Sequence, residues 1–60
     1  MLTEEERAVI TDIGNRLLDL YAKRDEAVLE GDLDRLHRLQ AEITEVADER
    51  YKVVRRVEAR

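Results

Sequence analysis

The chain has 60 residues with 43% hydrophobic, 43% charged and 3% aromatic residues, no Cys, no Pro and a net charge of −4. A chain this short holds one domain with a marginal core, and the missing cysteines exclude disulfides and thiolate metal sites as supports, which leaves association with another chain. The apolar content is too high for disorder, and the acidic balance argues against bulk electrostatic binding to nucleic acid.

The chain opens on MLTEEERAV, an acidic start unlike a signal peptide, and no apolar run approaches bilayer length. These features lead to the expectation of a complete small cytoplasmic protein with no membrane contact. Thr3 and Glu6 have the Thr-x-x-Glu spacing of a capping box, and Glu4, Glu5 and Glu6 suit the positive end of a helix dipole. A first helix is therefore predicted over about 4–29.

The stretch TDIGNRLLDL, residues 11–20, carries Gly-Asn inside this segment, which is turn chemistry. The apolar rhythm answers whether the chain breaks there. Ile10, Ile13, Leu17, Leu20, Arg24 and Ala27 recur at alternating spacings of three and four, and the phase passes through Gly14 unchanged. Gly14 is thus expected inside a continuous helix, at a cost of about 1 kcal/mol relative to Ala.

The next punctuation is EGDLD. Gly31 suits the left-handed position after a helix, and Asp32 suits the N-cap of the following one. The hinge is predicted at 30–32, with a second helix over about 33–58. In that helix Leu36, Leu39, Ile43, Val46, Arg50, Val53 and Val57 continue the a and d positions of a heptad.

An antiparallel hairpin gives facing residues a constant number sum. Ile10 with Val53, Leu17 with Val46, Leu20 with Ile43 and Ala27 with Leu36 all share the sum 63, which centres the turn between Gly31 and Asp32. Turn chemistry and heptad phase agree on one hinge. The expected fold is all-α: an antiparallel, coiled-coil-like two-helix hairpin that dimerises into a four-helix bundle.

The two flanks of the seam differ. The g flank pairs Arg16 with Glu49, Lys23 with Glu42, and Glu30 with Arg35, each opposite in charge. The e flank pairs Gly14 with Ala47, Tyr21 with Gln40, and Val28 with Leu33, followed by Val54, and Leu18 and Tyr51 lie beside it at b positions. These eight non-glutamine residues, Gly14, Leu18, Tyr21, Val28, Leu33, Ala47, Tyr51 and Val54, form the expected dimer or partner interface. Gly14 opposite Ala47 suggests a close helix approach there.

Other candidates are weaker. Asp25, His37 and Gln40 fall near Tyr21 and form a candidate polar cluster, read as the rim of an interface. His37 is the only histidine, and no Glu-x-x-His or second histidine accompanies it, so no metal or other cofactor is expected. Arg24 and Arg50 occupy seam positions, where their heads are expected to reach outward to carboxylates while their methylenes pack.

Residues 50–60 hold five basic side chains against one acidic, a local charge of +4 that leaves −8 on the rest. Lys52, Arg55, Arg56 and Arg60 are the candidate phosphate contacts of a nucleic-acid reading, although no aromatic platform interleaves them. In the hairpin this end lies beside Glu4, Glu5 and Glu6, so charge closure accounts for it too. No P-loop, nucleophile elbow or His-based triad is present, and there is no Ser, so no enzymatic activity is expected.

Length and topology resemble the Rop-type plasmid copy-number regulators, helical hairpins that dimerise and bind paired RNA loops. That resemblance implies an RNA-binding regulatory dimer as an alternative, with no RNA-contacting residue matched. The primary expectation is a homodimeric protein–protein interaction or adaptor module with an unidentified protein partner. A further alternative is an accessory subunit docking on a larger enzyme.

Overall fold

The computed structural model describes residues 2–59. Two helices, α1 (Glu4–Glu30) and α2 (Leu33–Glu58), pack against each other as a hairpin. The molecule is a slab of 44 × 16 × 10 Å, one helix thick.

Local chemistry sets the start of α1 and both sides of the turn. The Thr3 Oγ1 accepts from the Glu6 backbone N–H at 3.1 Å, while the Thr3 N–H donates to the Glu6 carboxylate at 3.0 Å. Both arms of the capping box are therefore made, and two N–H groups left over by the first turn are satisfied. At the other end Gly31 has φ 71° and ψ 22°, the left-handed region that costs glycine no Cβ clash. Its N–H donates to the Val28 carbonyl at 3.1 Å, and the Asp32 N–H donates to the Ala27 carbonyl at 3.0 Å. These two bonds make a Schellman stop.

Asp32 then starts α2. Its Oδ1 accepts from the Arg35 N–H at 3.1 Å, and its carbonyl accepts the first helical bond, from the Leu36 N–H, at 3.0 Å. One residue thus ends one helix and caps the next, so Gly31 and Asp32 alone make the turn. Glu30, expected in the hinge, is the last residue of α1. The phase across Gly14 is unbroken, and α1 runs straight through it.

The core is a single line of side chains. Ile13, Leu20 and Ala27 from α1 meet Leu39 and Val46 from α2, with Leu17, Leu36, Ile43 and Val53 packed against them. All nine are seam positions of the predicted heptad. The Arg16–Glu49 ion pair, 3.4 Å across the helices, fixes the predicted register by direct contact.

Burial within the seam is uneven. On each helix one heptad column is the more deeply buried (Ile13, Leu20 and Ala27; Leu39 and Val46, with Val53 half-buried). The other column is half-buried at Ile10, Leu17, Arg24, Leu36, Ile43 and Val57 and exposed at Arg50. Residues of this second column lie about 50° around the helix, next to the e flank. The hairpin therefore leaves its second column open on one side. Among the described residues, no helix is long and apolar enough to cross a membrane.

Candidate functional site

The open side is a continuous face built from the half-buried column, the e flank and the adjoining b positions of both helices. Leu18 is 67% exposed, Leu33 66%, Val28 57%, Tyr51 57% and Tyr21 37%. Val54 is half-buried and Ala47 exposed beside them. Five of the seven large apolar side chains left exposed among the described residues thus share one face. The other two, Val9 and Leu29, lie off it, on the g flank and on the back of α1.

Periodicity is the cause. Leu18 and Tyr51 lie five residues past buried Ile13 and Val46. Tyr21, Val28 and Val54 lie one residue past the seam positions Leu20, Ala27 and Val53, and Leu33 lies six before Leu39. Each spacing turns the side chain about 100–140° around the helix, away from the partner helix in a two-helix hairpin. The two helices of the hairpin do not cover them.

Much of the polar chemistry on this face is satisfied within its own helix. The Thr44 hydroxyl donates to the Gln40 carbonyl at 3.0 Å. Arg55 Nη1 donates to the Tyr51 hydroxyl at 2.8 Å, with its guanidinium carbon 5.6 Å from the Tyr51 ring centroid. The Arg24 guanidinium carbon lies 5.1 Å from the Tyr21 ring centroid, and Arg24 Nη2 is 3.9 Å from the Asp25 carboxylate. These cation–ring contacts were not anticipated from sequence, yet their spacings, Tyr21 to Arg24 and Tyr51 to Arg55, are the three and four that bring helical side chains together.

The remaining candidates divide. Gly14 is half-buried, but a Cβ built on it meets nothing within 4 Å. The close approach of the hairpin's own helices at Gly14 and Ala47 is therefore not made. Asp25, His37 and Gln40 are all exposed, and no hydrogen bond joins their side chains to one another or to Tyr21 among the described residues. Asp25 turns to Arg24 instead. Arg24 finds a carboxylate as expected. Arg50 does not: it is exposed and makes no ion pair or hydrogen bond among the described residues.

The g flank is charged and paired. Arg16 meets Glu49, and Arg35 meets both Glu30 at 3.5 Å and Glu26 at 3.8 Å. Lys23 departs from expectation. It pairs with Asp19 of its own helix at 3.1 Å, although Glu42 lines the same cleft. An Asp one turn earlier competes with the cross-helix carboxylate, and a flexible lysine reaches either.

At the basic end, Lys52 pairs with Asp48 at 3.1 Å and Arg55 is held on Tyr51. Arg56 lines a cleft with Glu5, Glu6, Val9 and Val53, so one residue of the basic end lies beside the acidic first turn of α1. Arg60 lies outside the described residues. Among the described residues, no group of three His, Cys, Asp or Glu side chains is placed to hold a metal ion. Compared with protein-family models, curated proteins and solved structures, the chain matches none.

Proposed function

We propose that the protein is a non-enzymatic protein–protein interaction module whose working surface is the e-side face, and that a second copy covers this face to make a four-helix bundle. One observation carries the reading: the chain exposes more surface than a finished monomer of its size. Its accessible area is 4862 Å² at 7.1 kDa, whereas a folded monomer of that mass exposes roughly 4,100 Å². The excess, roughly 800 Å², is what each partner contributes to a standard protein interface.

The rest of the face supports this. Its large exposed residues are apolar or aromatic, and the Tyr51 and Thr44 hydroxyls already have partners within α2, so covering those two hydroxyls leaves neither orphaned. The nucleic-acid reading gains nothing from the basic end, where Lys52, Arg55 and Arg56 are occupied by or lie beside the chain's own groups.

The test is the solution mass. Light scattering in phosphate buffer at several hundred micromolar is expected to give twice the 7.1 kDa chain mass for the wild type. Leu18→Asp is expected to give the single-chain mass with helicity retained. A wild type that stays at 7.1 kDa at the highest concentration overturns the self-association reading.

A further inference from the structure

Resting on the self-association reading, we infer that two copies enclose a binding site for a phosphate group, formed by Arg24 and Arg50 where the two faces meet. Both arginines occupy the second seam column, with Leu17, Leu36 and Ile43; in the single hairpin Arg24 is half-buried and Arg50 exposed. That column becomes the centre of the bundle once a second hairpin covers the face.

The levels of the two arginines follow from the helix rise of 1.5 Å per residue. Arg24 lies about 11 Å and Arg50 about 28 Å from the turn. If the second hairpin runs the same way, Arg24 meets Arg24 and Arg50 meets Arg50. If it runs the opposite way about a shared midpoint, Arg24 of one copy and Arg50 of the other fall within about 4 Å of the same level. Either polarity pairs guanidinium with guanidinium at two levels near the bundle axis.

Carboxylates do not balance them. Asp25 is the only acidic residue of the e-side columns near Arg24, and it is 3.9 Å away on the outer side. Arg50 has no ion pair among the described residues. The other charged residues of these columns, Glu4, Arg7 and Glu58, lie at the open end, about 9 Å or more beyond Arg50 along the axis. A dimer therefore places four guanidinium groups against two carboxylates. Enclosing like charges disfavours association unless an anion joins them. Phosphate is the matching ligand, because a planar guanidinium fork donates two parallel bonds to its oxygens and the group carries roughly 1.5 to 2 negative charges at neutral pH.

The test compares sedimentation equilibrium in sodium chloride and in inorganic phosphate at matched ionic strength. The dimer dissociation constant is expected to fall about tenfold in phosphate. The Arg24→Leu/Arg50→Leu double variant is expected to dimerise at least as tightly in chloride and to show no phosphate response. Circular dichroism confirms that it is folded.

An arm with glycerol phosphate locates the source of the group. No response to the ester, beside a response to phosphate, assigns the site to the free ion, and an equal response assigns it to a phosphate ester. A wild-type dimer of equal strength in both salts, or a double variant that keeps the phosphate response, overturns the phosphate site and leaves the dimer standing. Monomeric wild type and double variant in every salt overturn the dimer itself.

Discussion

The two edges of this hairpin are built from the same two helices and differ in almost every property. On the g side, Arg16, Lys23 and Arg35 each hold a carboxylate, and two of these three arginine or lysine residues reach across to the other helix. On the e side, the flank positions from Gly14 to Val54 carry no charge at all, and Leu18, Tyr21, Val28, Leu33 and Tyr51 stand in water. A monomer has no use for this asymmetry, because a two-helix seam has two equivalent margins. The contrast is between a margin whose charges pair within the chain and a margin whose apolar side chains stay exposed.

The comparison yields predictions of decreasing size. The largest effect falls on the seam that both edges rest on. Leu20 is 8% exposed, so Leu20→Ala should cost about 3 kcal/mol and remove most of the helical circular dichroism signal at room temperature. The next effect separates the edges. Leu18→Asp should change the stability of the isolated hairpin by less than about 0.5 kcal/mol, since the side chain is exposed, yet abolish association in light scattering. A variant that associates normally would erase the distinction between the two sides.

Gly14→Ala comes third. The added methyl meets nothing within the chain, so helix propensity alone should raise the stability of the hairpin by about 1 kcal/mol, read as a higher urea midpoint. Gly14→Leu sharpens the same question, because it should disturb association if a second copy packs closely there. Smallest of all, Arg16→Gln should lower stability by only a few tenths of a kcal/mol, because both members of the pair with Glu49 are about half exposed. It should leave the solution mass unchanged, in contrast to Leu18→Asp.

The sequence made the helix ends, the turn and the register readable because each depends on residues a few positions apart. Thr3 with Glu6, Gly31 and Asp32 act locally, and the alternation of three and four passes through Gly14 without a change of phase. What escaped the sequence is the choice that long side chains make among several partners. The heptad assigns Lys23 and Arg24 to columns, but not the rotamers that send one to Asp19 and the other onto Tyr21. Likewise, Gly14 and Ala47 share a level, but the distance between helices is set by the larger seam residues, Ile13, Leu20 and Val46, which hold the backbones apart. The face itself was legible from its periodicity, and its exposure follows from the two-helix count.

The central claim is that the e side, and not the g side, meets a second copy. Isotope-filtered nuclear Overhauser spectra of a mixture of labelled and unlabelled chains test it most directly, because they report only contacts between copies. Cross-peaks are expected from the Leu18, Val28 and Val54 methyls and the Tyr21 and Tyr51 rings, with none from the methylenes of Arg16 or Lys23. Intermolecular cross-peaks confined to the g side, or none at concentrations where light scattering is also monomeric, would contradict it.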